Sequence, residues 1–157
     1  MTTRMMRLGG MLLAAAMVCA AGCTGRETSS YADVPDSGWV YGHSFEYAAD
    51  TLPLPQGARA DLKLWLMHDN GYPYRNVWLE TSYRGVDSLT HTDTLNIELC
   101  DRFGRWFGKG FGSGYQIEST LEGRVAPAPG TPVRVRHVMR VDTLRGISRV
   151  GLDIIAR

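Results

Sequence analysis

Asp61-Leu62-Lys63-Leu64-Trp65-Leu66-Met67-His68 alternates without a break: Leu62, Leu64 and Leu66 fall on one side of an extended chain, Asp61, Lys63, Trp65 and Met67 on the other. A period of two is the pattern of a strand with one buried face, and a helix would scatter those leucines around its circumference. Asp69-Asn70-Gly71 follows as turn chemistry, lengthened by Tyr72-Pro73-Tyr74. Alternation then resumes from Asn76 to Tyr83, with Val77, Leu79, Thr81 and Tyr83 on one side and Trp78, Glu80 and Ser82 on the other.

The same reading extends outward in both directions. Upstream, Trp39 to Tyr47 predicts a first strand, and Asp50 to Gly57, with Pro53 and Pro55, predicts a loop or edge. Downstream, Leu95, Ile97 and Leu99 face inward, then Tyr115, Ile117 and Leu121, then Val133, Val135, His137, Met139 and Val141, and finally Val150, Leu152 and Ile154. No stretch of ten or more residues after Cys23 has helical periodicity. The expected fold is therefore all-β: a single antiparallel β-sandwich, jelly-roll-like, of about seven to eight strands.

Gly104-Arg105-Trp106-Phe107-Gly108-Lys109-Gly110-Phe111-Gly112-Ser113-Gly114 places five glycines among three aromatic rings. It predicts a structural corner at Gly104, Trp106, Gly108, Gly110 and Gly112, a bent strand with rings lying over the glycine gaps. It does not match a phosphate-binding loop: Gly104 and Gly108 enclose three residues rather than four, and Gly110 follows Lys109 where Ser or Thr is required.

The first residues carry an export signal. Arg4 and Arg7 precede an apolar run from Leu8 to Ala21, long enough for a signal peptide and short for a membrane span, and the run ends in Ala20-Ala21-Gly22-Cys23. Small residues before a cysteine resemble a bacterial lipobox, with Cys23 as the acylated first residue of the mature chain. An ordinary signal peptide with an incidental cysteine is the competing reading. The predicted organisation is a lipoprotein signal peptide over 1–22, an acylated tether over 23–37, whose Thr24 to Ser37 lack an apolar period, and a β-sandwich domain over 38–157. Loss of residues 1–22 leaves 15 basic against 16 acidic side chains, a net charge of −1. A nearly neutral protein does not bind nucleic acid by counterion release, so no nucleic-acid partner is expected.

Little in the chain points to catalysis, metal or cofactor. Only His91-Thr92-Asp93 pairs two ligand types on one strand face, Cys100 ends a strand beside an acid, and Gly112-Ser113-Gly114 lacks the spacing of a nucleophile elbow. Glu80, Glu98 and Glu118 fall on outward faces with nothing to pair them. Arg134, Arg136, Arg140, Arg145 and Arg149 read as a solvated face. Trp65 and Trp78, opposite the leucine faces, with Tyr72 and Tyr74 at the adjoining loop, are the candidate partner-binding residues, a platform for a protein or a sugar. A second buried face would give the same pattern.

Tyr72-Pro73-Tyr74-Arg75-Asn76-Val77-Trp78-Leu79, Asp93-Thr94-Leu95, Gly104-Arg105-Trp106-Phe107-Gly108-Lys109-Gly110, Met139-Arg140, Gly146 and Val150-Gly151-Leu152, in this order after a lipobox, resemble the GldH-type gliding-motility lipoproteins of Bacteroidetes. The resemblance implies an outer-membrane lipoprotein, facing the periplasm, that supports the gliding and type IX secretion machinery through contacts with other envelope lipoproteins, with no catalytic residues and no cofactor. A glycan-binding surface lipoprotein is the alternative.

Overall fold

The computed structural model describes residues 27–49, 55, 57–112 and 114–157, with Phe111 described by its backbone alone. The predicted signal peptide and Cys23 lie outside the described residues, as does Pro53. Among the described residues there are eleven strands and no helix: β1 Glu27–Asp33, β2 Trp39–Val40, β3 Phe45–Ala48, β4 Arg59–Asp69, β5 Asn76–Arg84, β6 Thr90–Glu98, β7 Lys109–Phe111, β8 Gly114–Val125, β9 Pro132–His137, β10 Thr143–Leu144 and β11 Ile147–Ala156.

Two antiparallel sheets face each other. One runs β1-β11-β4-β8-β7 and the other β3-β9-β5-β6, with β2 and β10 forming a small ribbon. Leaving out the short β2, β7 and β10, eight long strands pair as a nest: β5 with β6, β4 with β8, β3 with β9 and β1 with β11. The chain is thus one long hairpin wound over itself into two four-stranded layers, which is a jelly roll. The expected fold class holds, with three additional short strands.

The alternation in sequence explains the layers. Leu62, Leu64 and Leu66 of β4 meet Val77, Leu79, Val133 and Val135 in the core, together with Val150, Leu152 and Ile154 of β11. Two tyrosines tie the sheets together: Tyr47 Oη donates to the Val150 carbonyl at 2.8 Å and Tyr83 Oη to the Val125 carbonyl at 2.9 Å. His137 is a core histidine as expected, donating from Nε2 to the Trp39 carbonyl at 3.0 Å, and burial lowers its pKa.

Three expectations need correction. Glu27–Asp33, placed in the tether by its polarity, is a strand paired residue for residue with β11, from Glu27 opposite Ile155 to Asp33 opposite Arg149. Its side chains are never fully buried because it is an edge strand, held by ladder hydrogen bonds rather than an apolar face. The folded body therefore begins by residue 27 rather than 38. The strand predicted from Trp39 to Tyr47 is interrupted at 41–44, where His43 N–H bonds back to the Val40 carbonyl. The strand expected to run to Val141 stops at His137.

The glycine-rich stretch is a corner, but of another kind. It carries the chain from β6 in one sheet to β7 in the other through a tight turn at Asp101–Gly104 and an isolated bridge between Cys100 and Trp106. Gly108 has φ +85° and a Cβ there would collide with the Gln116 carbonyl oxygen, whereas Gly110 has no left-handed backbone and its Cβ would make ordinary contact with the Tyr115 ring at 3.7 Å. The glycine beneath a ring lies elsewhere: a Cβ on Gly151 would fall within the Trp65 indole.

Candidate functional site

The sandwich has two distinct ends. At one, β4 finishes and the connections 34–38, 70–75, 99–108, 138–142 and 145–146 converge; at the other lie Glu27, Arg59, the 85–89 turn, the 126–131 loop and Arg157. Eight large apolar side chains are exposed among the described residues, and six of them, Val40, Tyr41, Tyr74, Trp78, Phe103 and Phe107, belong to the first end. Leu89 alone belongs to the second, and Tyr31 lies on the outer face of the larger sheet.

Local chemistry builds this aromatic end. Asp69 Oδ1 accepts the Gly71 N–H at 2.7 Å and the Asp69 carbonyl accepts the Tyr72 N–H, fixing the turn after β4. Tyr72 is buried, its hydroxyl donating to the Asn76 carbonyl at 3.0 Å, and burial raises its phenol pKa above the ordinary value. Beneath it His68, Trp106 and Tyr115 form a ring cluster, with His68 stacked on Tyr115 at 5.5 Å and edge-on to Trp106 at 4.6 Å. Tyr74 stands edge-on against Tyr72 with centroids 5.7 Å apart and reaches solvent, as does Trp78 at 42% exposure. Next to them the 101–105 turn is pinned by Asp101, whose carboxylate accepts the N–H groups of Phe103 and Arg105 and the Arg105 guanidinium. Those donors, the Arg105 backbone N–H foremost, hold the Asp101 carboxyl below its ordinary pKa. At the apex Phe103 is 69% exposed beneath the Arg102 guanidinium, 4.6 Å from the ring centroid.

The four predicted platform residues do not form one surface. Tyr72 is core, Tyr74 and Trp78 belong to the aromatic end, and Trp65 lies on the opposite outer face, that of the larger sheet. There the Trp65 Nε1 donates to Asp153 Oδ1 at 3.2 Å, alongside Ser29 Oγ at 2.6 Å and the Lys63 ammonium at 2.8 Å from Oδ2. Burial opposes ionisation of Asp153, but the three donors outweigh it and its pKa falls below the ordinary carboxylate value. Tyr31 leans on Trp65 with centroids 6.1 Å apart, and Arg149, paired with Asp33, covers Tyr31.

Sequence reasoning missed Phe103, Arg102 and Arg105, although a phenylalanine at the tip of an Asp-x-x-Gly turn is a signal that an apolar ring is held in solvent. It also missed Gly151, whose position inside an apolar strand marks a close approach by another group. The other candidates resolve into structural pairs: His91 with Asp87 at 2.9 Å, Asp93 with Arg124, Glu80 with Arg136, and Cys100 buried. Arg134 pairs with Glu46 on the outer face of the smaller sheet, as a solvated face requires.

A family model for GldH lipoproteins matches residues 26–154, nearly the whole described body. The chain belongs to the GldH lipoprotein family. Comparison with curated proteins gives no match. The GldH family is one of gliding-motility-associated lipoproteins, so membership makes this chain a lipid-anchored protein of the cell envelope. Within the GldH match lie the aromatic end, the 99–108 corner and all but the last two residues of β11.

Proposed function

We propose that the protein is a non-catalytic adaptor of the gliding-motility and type IX secretion envelope machinery, held in the outer membrane by acylated Cys23, facing the periplasm and binding another envelope lipoprotein through its aromatic end. The observation that carries this reading is the segregation of exposed apolar side chains: among the described residues six of eight large ones, five of them rings, share one end, where Arg75, Arg102, Arg105, Arg140 and Arg145 are also exposed. Aromatic and arginine side chains are the types that dominate protein interfaces, and a monomer has no folding reason to hold them in water together.

The test is a Tyr74→Ala, Trp78→Ala double variant. Both side chains reach solvent, so the domain should keep its circular dichroism and unfolding midpoint while capture of the envelope partner weakens by about 2 kcal/mol or more, as loss of interface anchors does. Full recovery of partners by a folded double variant would overturn the assignment.

A glycan-binding role is the second reading, and Tyr31 favours it: it is 58% exposed and leans on Trp65 with Arg149 and Asp33 beside it. A folded Tyr31→Ala variant that loses a glycan bound by the parent, with its protein partners retained, would favour that role.

A further inference from the structure

We propose that the short link between Cys23 and β1 holds one particular end of the sandwich against the lipid headgroups, the end formed by Arg59, Arg84, Leu89, Arg124 and Arg157, so that the aromatic end points away from the bilayer. The inference rests on acylation at Cys23. A tether over 23–37 would have let the domain turn freely, but the chain is already in β1 at Glu27, four residues after Cys23. Four residues span at most about 14 Å when fully extended. The eleven residues of β4 run the length of the sandwich, about 35 Å at the rise of an extended strand. Glu27 pairs with Ile155 at the end that Arg157 and Arg59 share, the Arg157 N–H bonding to the Arg59 carbonyl. The link is therefore too short to bring the 99–108 corner to the membrane with the domain inverted.

A domain lying on its side is the remaining geometry, and nothing in its charge favours it. The outer face of the larger sheet sets Glu27, Asp33, Glu118 and Asp153 against Lys63 and Arg149, which pair with Asp153 and Asp33, so it offers anionic headgroups no net attraction. The proposed end offers four arginines and the exposed Leu89, at the turn where Val86 bonds to Ala126 and Ala128 to Arg84 to join the two sheets. Arg157 is paired with Asp61 and Arg124 with Asp93, and Glu27, Asp87 and Glu122 also lie at this end, so it carries no net positive charge. Tether length, rather than charge, sets the distance.

The experiment uses the lipidated full-length protein in vesicles of phosphatidylethanolamine and phosphatidylglycerol containing a headgroup nitroxide lipid. Fluorophores are placed at Leu89→Cys, Phe103→Cys or Glu118→Cys, the native Cys100 being buried. Quenching is expected to be several-fold stronger at position 89 than at 103 or 118, and to persist in high salt. A flexible Gly/Ser insertion of about 15 residues after Cys23, which adds roughly 20 Å of mean reach, should cut quenching at 89 several-fold while the protein stays on the vesicles. Equal quenching at 89 and 103, stronger quenching at 118, or no effect of the insertion overturns the orientation. Failure of Cys23 to incorporate acyl label is read separately and overturns the anchor along with the orientation built on it.

Discussion

Two glycines show how much depends on what lies above a backbone. Gly108 combines a left-handed φ with a carbonyl oxygen directly over its Cα, while Gly110, two residues on, has neither. Gly108→Ala should therefore destabilise the domain by about 1–3 kcal/mol, the usual range for a strained backbone position. Gly110→Ala should stay within about 0.5 kcal/mol of the parent, as an unremarkable surface change does. Urea unfolding of the pair checks this, and equal midpoints would remove Gly108 from its structural role. Asp153 supplies the residue-scale pH prediction. Because Lys63, Ser29 and Trp65 hold its folded pKa below the unfolded value of about 3.9, the folded state binds fewer protons there. Its stabilisation is complete above that value and is lost as pH falls through the lower folded pKa. Asp153→Asn should flatten the acid side of the stability profile between about pH 4 and 2 relative to the parent, measured by urea midpoints across that range.

Among the elements, those with a buried apolar face were legible and the edge was not. β4, β5 and β9 announce themselves because Leu62 to Leu66, Val77 to Tyr83 and Val133 to His137 each bury alternate residues. Both the core role of His137 and the exposure of Trp78 follow from that alternation. β1 was illegible because Glu-Thr-Ser-Ser-Tyr-Ala-Asp has no apolar period, its place being fixed by a partner more than a hundred residues away. The candidate site was half legible for a related reason. Alternation tells which side of a strand a tryptophan occupies, but it cannot tell that Trp65 and Trp78 stand on opposite outer faces, since that depends on which sheet each strand joins. β1 is as testable as it was hidden. Deleting residues 27–33 would uncover the hydrogen-bonding edge of β11 and should abolish the cooperative thermal transition and promote aggregation. A deletion variant that melts sharply at the parent temperature would return the segment to the role of a tether.

For the whole molecule, the two layers are joined by apolar packing and by the Tyr47 and Tyr83 hydroxyls, each reaching a carbonyl of the opposite sheet. Burial raises both phenol pKa values, that of Tyr83 to about 12 and that of Tyr47 further. The sign is that of a group kept neutral by folding: its contribution is complete below the unfolded pKa of about 10 and declines as pH rises through the folded value. The parent should therefore lose stability steeply above about pH 10. A Tyr47→Phe, Tyr83→Phe variant should begin about 1 kcal/mol less stable per lost hydrogen bond at neutral pH and show a shallower alkaline decline. Denaturant midpoints at neutral and alkaline pH, compared between the two proteins, check both parts.

The nesting of the eight long strands also sets an order of events during biogenesis. β5 and β6 are joined by a short turn and can zip first, while β1 must wait for β11, the last of the described strands, with β4 on its other side. Pairings of such long sequence separation close slowly, after the local ones. As the chain emerges from the ribosome, the larger sheet therefore lacks an interior strand until residues 147–156 have been synthesised. For the exported lipoprotein proposed above, the body would be completed only once both partners of the outermost pair stand on the same side of the membrane.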